Sequence, residues 1–434
     1  MKRRVVITGT GIICPLGNSR EALWEGLVAG KSGVRELQQI SKDAFPVAYG
    51  AEAWDFSGHI NDYGELGKDQ KRAIRKNIKV MCREIQMGVA SAQMALANSG
   101  LQAGDYDPDR TGVVYGSDYI MTLPDEFTAG VRACLDENQH FDFSRWADTG
   151  MAEVTPLWLL KYLPNMPASH IAIYNDLRGP NNSLTLREAS SNLAIGEAFS
   201  TIVRGSADRI LAGATGTRIH PLRSIHVALQ EQLAQANGDP EGMCRPFDKN
   251  RTGLAMGEGA ATIMMEELET AQSHNATILG EVVGQGSSMV ADESGSGQLT
   301  QAIVNAVGQT LRTGNCAPSD VGHIHAHGLG TIDGDRHEAA AITKVFGSEI
   351  PVAAAKANIG NLGAGGGIVE TIASLMALGD GRLFAARNYS SPDPDCPVNI
   401  QAERLSAGDS FININVSPQG QASAILIRKW QADS

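Results

Sequence analysis

Short apolar runs of strand length alternate along this chain with stretches whose apolar residues recur at the helical period. Residues 5–8 predict a buried strand running into a Gly-rich turn at Gly9 and Gly11, and residues 20–29 a helix. Residues 68–99 predict one long helix, with Ile74, Ile78, Met81, Ile85 and Val89 along one face and Asn98-Ser99-Gly100 as its stop. Further strands are predicted over 111–115 and 209–214, with a helix over 193–203. A second start follows near Ala276: strand 278–283, helix 298–312, strands 323–326 and 352–355, helix 367–378, then strands 411–415 and 424–428. Such alternation predicts an α/β architecture with a largely parallel sheet. The repeated order of elements predicts a duplicated unit with halves 1–270 and 271–434, joined without a long linker into one body.

Composition narrows what such a body can do. With 42% apolar and 19% charged residues over 434 positions, the chain can bury a large core. Only 5% of residues are aromatic, so that core is aliphatic and rich in Ala. Lys and Arg number 36 against 48 Asp and Glu, a net charge of -12, which argues against a binder of duplex nucleic acid. No apolar stretch approaches the ~18 residues that span a bilayer. The apolar run after Met1-Lys2-Arg3-Arg4 is broken at once by Thr8 and Gly9, unlike a signal peptide. The cysteines stand singly at 14, 82, 134, 244, 316 and 396, with no zinc or disulfide spacing. A soluble protein of the reducing cytoplasm is the expectation.

Three segments could carry chemistry. His323, His325 and His327 fall on one face of a predicted strand, with Asp333, Asp335 and His337 nearby, a conceivable zinc set. The plainer reading makes one histidine functional and packs the others. The run Gly363-Ala364-Gly365-Gly366-Gly367 lacks the spacing and the distal acidic residue of a dinucleotide fingerprint. Close helix packing explains it equally well, and no cofactor is expected. Lys68, Lys71, Arg72, Arg75, Lys76, Lys79 and Arg83 form a basic cluster in an acidic chain, either a solvated helix face or a dock for an acidic partner.

Taken together, these segments resemble the β-ketoacyl synthases, the condensing enzymes of fatty acid and polyketide assembly. The opening Val5 to Gly11 and Pro15-Leu16-Gly17 is similar to the family's start, and Arg245-Pro246-Phe247-Asp248 with Gly253 and Gly257-Glu258-Gly259 to its mid-chain signature. His327-Gly328-Leu329-Gly330-Thr331, with Gly334, Asp335 and Glu338, resembles the first histidine motif. Lys356-Ala357-Asn358-Ile359-Gly360 resembles the approach to the second. The resemblance implies a thiolase-like fold of two pseudo-repeated halves in five α-β-α-β-α layers, normally dimeric. It also implies an acyl carrier protein as partner, docked on Arg75, Lys76 and Lys79.

The resemblance also marks what is missing. The family's nucleophilic Cys stands at a helix N-terminus, which readies a thiolate. The run Arg187-Glu188-Ala189-Ser190-Ser191 sets Ala189 at that place, and a methyl group accepts no acyl chain. Ser190 and Ser191 are expected to hydrogen-bond the helix start instead. Asn361 stands for the second histidine, and in Asn415-Val416-Ser417-Pro418-Gln419-Gly420-Gln421 the gating Phe is Gln419. These losses, with Glu188 alongside, are similar to chain-length-factor subunits, which pair with an active synthase. The chain is then a non-condensing partner in a homodimer, or in a heterodimer with a Cys-containing ketosynthase. The retained His327 and Lys356 leave open a thiol-free decarboxylase of malonyl-carrier protein. There His327 and Asn361 would stabilise enolate charge, and the backbone N–H groups of Ala189 and Gln419 would form the oxyanion hole. A metal-dependent enzyme on the same scaffold is the third reading.

Overall fold

The computed structural model describes residues 3–40 and 47–431. All nine residues of β1 (Val5–Ile13) are buried, so the strand runs on through the predicted turn. Its glycines serve packing. A Cβ on Gly9 would lie 2.3 Å from the Ala95 carbonyl oxygen, and one on Gly11 2.0 Å from that of Ser91. A helix can therefore lie directly on the strand.

That helix is only half of the one predicted over 68–99. α1 (Lys68–Asn77) runs into a single tight turn, Ile78–Val80, and α2 (Arg83–Asn98) starts afresh after extended backbone at Met81 and Cys82. No Gly or Pro causes the break. It turns Arg83 inward, where its guanidinium pairs at 2.6 Å with Glu258, whose side chain is fully buried. An unpaired buried carboxylate costs several kcal/mol, more than a few helical hydrogen bonds at about 1 kcal/mol each. Tertiary pairing therefore overrides the helical period, and it removes Arg83 from the basic surface.

The first half contributes β1, β2 (Thr111–Ser117), β3 (Asn181–Thr185), β4 (Arg209–Thr217) and β5 (Glu258–Glu267). The second contributes β6 (Gly280–Met289), β7 (His323–His325), β8 (Val352–Ala353), β9 (Ser410–Val416) and β10 (Gln421–Arg428). Their spatial order is β8-β7-β9-β10-β6-β1-β5-β4-β2-β3. Each half thus repeats one order, first-fifth-fourth-second-third, and the halves meet where Val5, Val6 and Ile7 pair with Val282, Glu281 and Gly280. The sheet is mixed, not largely parallel. β2 runs parallel to β3 and β4, and β7 to β8 and β9, while the pairs involving β5 and β10 are antiparallel. The turn between β9 and β10 is too short for a parallel crossover.

Helices complete five layers. α2 covers one sheet face, and α4 (Leu299–Gly314) with α5 (Ile332–Phe346) covers the far face of the other half. Between the halves lie α3 (Ser190–Val203) and α6 (Gly366–Asp380), each packed against strands of both. The glycines at the start of α6 allow this. A Cβ on Gly365 would fall 2.2 Å from the Gly259 carbonyl oxygen, and one on Gly367 1.8 Å from Asn415 Oδ1. The run lets the helix start pack closely.

Candidate functional site

The chain leaves β3 at the sheet edge and must turn sharply into the buried α3. Arg187 makes that turn in the left-handed region, at φ 54°. Ser190 Oγ accepts from the Leu186 N–H at 2.8 Å and donates to the Ser117 carbonyl at 3.1 Å. Ser191 Oγ donates to the Ala364 carbonyl and accepts from the Ile368 N–H, tying α3 to α6. Contrary to the expectation from the sequence, neither hydroxyl caps the start of its own helix; Ser190 fastens the preceding turn and Ser191 reaches the start of α6. Ala189 is fully buried, with its carbonyl accepting from Ser423 Oγ at 3.0 Å.

The side chain that faces the retained histidine and Asn361 is Glu188, not Ala189. Glu188 Oε1 accepts from Asn361 Nδ2 at 3.1 Å and pairs with the Arg218 guanidinium. Arg218 is fully buried and also meets Asp118 at 2.9 Å. Arg187 pairs with Glu231 and places Nε 3.5 Å from Glu188 Oε2. Burial alone would raise the Glu188 carboxyl, but Arg218 and then Arg187 hold it well below the usual carboxylate range. Glu188 therefore stays ionised inside the protein.

His327 lies just past the end of β7. Glu338 on α5 accepts from the His327 and Gly328 N–H groups at 2.6 and 2.8 Å, which fixes the loop. Lys356 Nζ donates to the His327 carbonyl at 2.6 Å, lies 3.3 Å from its Nδ1, and pairs with Glu370. Glu370 in turn accepts from Asn415 Nδ2 at 2.8 Å. A lysine donor at Nδ1 assigns the ring proton to Nε2. Burial, helped by the Lys356 charge, pushes His327 down to about 3, so the ring is neutral near pH 7. Burial raises Glu338 to about 8 and Asp335 to about 6.

Glu188 and His327 line a cleft of about 240 Å³, together with Glu231, Leu299, Leu329, Asp333, Val416 and Pro418. Of the predicted site residues, His327, Lys356 and Asn361 come together here. Gln419 does not line the cleft; it is exposed at the tip of the turn between β9 and β10. Arg75, Lys76 and Lys79 are exposed around the end of α1, away from this cleft. The zinc set does not form. His323 and His325 share a face, but both rings hydrogen-bond Ser374 Oγ, at 3.0 and 2.8 Å. His337 is exposed, and among the described residues no three His, Cys, Asp or Glu side chains gather as metal ligands.

Sequence reasoning missed Arg218, Asp118, Glu231 and Glu370. Isolated charges at strand ends and in apolar helices give no periodic signal. Arg187-Glu188 did carry one: a charged pair at a strand-to-helix junction needs buried counter-charges.

Comparison with known proteins agrees with this geometry. Residues 2–271 match the beta-ketoacyl synthase N-terminal domain, and residues 275–390 the beta-ketoacyl synthase C-terminal domain. The chain is 32% identical over 407 residues to 3-oxoacyl-(acyl-carrier-protein) synthase 2 of Coxiella burnetii, covering 92% of this chain and 91% of that protein. A solved beta-ketoacyl synthase from Burkholderia phymatum superposes with a TM-score of 0.83 at 26% identity, over 99% of this chain and 100% of the other. The ishigamide ketosynthase/chain length factor superposes at 0.81 with 24% identity over 99% and 100%, a likeness of fold. Among the described residues no helix is long and apolar enough to cross a membrane. With both domains matched in order and the thiolase-like layers in place, the chain belongs to the beta-ketoacyl synthase family.

Proposed function

We propose that this chain is a non-condensing, synthase-like subunit of fatty acid or polyketide assembly. In this reading it pairs with a Cys-bearing ketosynthase and receives an acyl carrier protein. The observation that carries the reading is Glu188. Where the family places an acyl-accepting thiol opposite its histidine, this chain has an ionised carboxylate paired with buried Arg218. No cysteine lines the cleft among the described residues, and Cys14 and Cys244 are buried thiols pushed up to about 12. Acyl transfer onto a cysteine thiol has no acceptor there.

Two surfaces support the partners. β3 lies at the sheet edge, paired on one side only. Near it the helix Pro221–Gln230 exposes Leu222, Ile225 and Leu229, the last at 80%. The Arg187–Glu231 pair joins the residues that follow these two elements, so edge and stripe are neighbours. An open edge beside apolar side chains suits a second subunit of the same fold. Arg75, Lys76 and Lys79 offer positive charge to an acidic carrier on a chain that is otherwise anionic.

The decarboxylase reading asks Asn361 to donate to a thioester oxygen, and that amide already donates to Glu188. The test is direct. Co-expressed with a Cys-bearing synthase from its own genome, the chain should co-purify as a stoichiometric complex, and alone it should release no carbon dioxide from malonyl-carrier protein. Turnover by the chain alone, abolished by His327→Ala, would sink the partner reading in favour of the decarboxylase.

A further inference from the structure

Five tryptophans occur in the chain, and two of them, Trp24 and Trp430, line a groove that shares no residue with the cleft beside His327. Its volume is about 590 Å³, within the range of small-molecule sites. The groove lies at the far end of α6 from Glu370 and beside the seam of the two halves, where the Leu279 N–H donates to the Ile7 carbonyl at 2.8 Å. Ile278, Leu279 and Met376 are only half-buried there, so large aliphatic side chains stay open to solvent. Both tryptophans are held in place by their neighbours. Trp24 packs edge-on against Phe384, with ring centroids 6.4 Å apart, and has the Arg404 guanidinium 5.8 Å from its ring centre. Arg4 lies 5.0 Å over the Trp430 ring. The charges at the rim leave one cation over. Arg20 pairs with Glu21 at 2.7 Å and Asp380 with Arg404, whereas the exposed Lys429 has no side-chain partner among the described residues.

We infer that this groove binds a carboxylate on an unbranched alkyl chain, with the carboxylate at Lys429 and the chain along Leu279, Leu375 and Met376 beside the two tryptophans. The alkyl chain takes the half-open aliphatic surface out of water, and the carboxylate meets the cation left without a partner. An ammonium of similar size finds both rim acids, Glu21 and Asp380, already paired. An alcohol keeps the apolar contact but brings no charge to Lys429. The inference goes beyond the partner reading and holds whether or not the chain pairs with a synthase.

The test titrates hexanoate, hexanol, hexylammonium and octanoate into the full-length chain at pH 7.5 and low, constant ionic strength, read by ligand-observed NMR and tryptophan fluorescence. Two further methylenes should tighten octanoate about tenfold over hexanoate. The exposed ion pair should favour hexanoate about threefold over hexanol, with hexylammonium weakest. Lys429→Met, at an exposed side chain without a partner, should erase the preference for hexanoate over hexanol and leave melting unchanged. Gly379 lines the groove at a position where a Cβ meets nothing within 4 Å, so Gly379→Phe should fold, fill the groove and abolish binding of every probe. Equal or tighter binding of the alcohol or the amine, no gain from the longer chain, a hexanoate preference that survives Lys429→Met, or binding that survives Gly379→Phe would each overturn the inference. No response to any probe would overturn it too, and a sedimentation mass that then falls in Gly379→Phe would assign the groove to a second copy of the chain.

Discussion

Replacing Arg218 by Met tests whether the Glu188 cluster is as tightly held as its geometry says. Arg218 is fully buried, and its guanidinium meets both Glu188 and Asp118. Met fills most of the side-chain volume but leaves two buried carboxylates without their main counter-charge. Breaking a buried ion pair from one side costs about 3–5 kcal/mol. For 434 residues the unfolding entropy is roughly 0.9 kcal/mol per degree, so the melting temperature should fall by about 4 °C at pH 7.5. The pH dependence makes the attribution specific. A freed carboxylate has a folded-state pKa raised above its unfolded value, so between those values the native state holds the extra proton. The variant therefore regains stability as pH falls through that window, by up to about 1.4 kcal/mol per pH unit for each freed acid. In the parent chain Glu188 is held low and does not titrate there. The gap between the two proteins should shrink from pH 7.5 to pH 5.5. Glu188→Gln, which leaves Asp118 on Arg218, should cost only about 1–2 kcal/mol. Thermal unfolding followed by circular dichroism at both pH values reads all of this. An Arg218→Met protein within about 1 kcal/mol of the parent at pH 7.5, or a gap that widens in acid, would refute the reasoning.

Three further outcomes follow from separate parts of the molecule. His325 is fully buried, and burial followed by the Lys356 charge pushes it down to about 3, so the unfolded chain binds the extra proton between pH 6.5 and 3. Its contribution to stability fades as pH falls through that range, by about 2 kcal/mol at pH 5, and the stability gap between the parent and His325→Asn should narrow by that amount from pH 7.5 to pH 5 in urea titrations. Gly367→Ala drives a methyl toward Asn415 Oδ1 and to 2.7 Å from Ser191 Cβ, between two buried and hydrogen-bonded side chains, so a loss of about 1–3 kcal/mol is expected by thermal unfolding. The triple reversal of Arg75, Lys76 and Lys79 to Glu should leave melting unchanged and weaken binding of an acidic acyl carrier protein, with the loss shrinking as salt rises in calorimetric titrations. Undiminished affinity at low salt would rule out that dock.

The alternation of strands and helices was legible because it rests on period, while the five layers followed from the family resemblance. That alternation can be counted on the chain, although β1 runs for nine buried residues where the pattern predicted only 5–8. What period could not show was any feature set by a distant partner. The break between α1 and α2 exists for a carboxylate at position 258, and the antiparallel pairings come from turn length and chain order. The site divides in the same way. His327, Lys356 and Asn361 stand in recognisable runs and do converge. Glu188 stood one residue from the position singled out. At a junction where Arg187 takes a left-handed turn, one residue decides which side chain enters the cleft and which is turned away.

The seam between the halves is only three residues wide, Val5 to Ile7 against Gly280 to Val282. Two sheets so thinly stitched are held mainly by the helices clasped between them, and α3 and α6 each lean on both. Cutting the gene near codon 271 would thus give two fragments that each expose an oily inner surface. Neither should persist alone in dilute buffer, and mixing the two should restore a single cooperative melt. The two halves are thus mutual scaffolds.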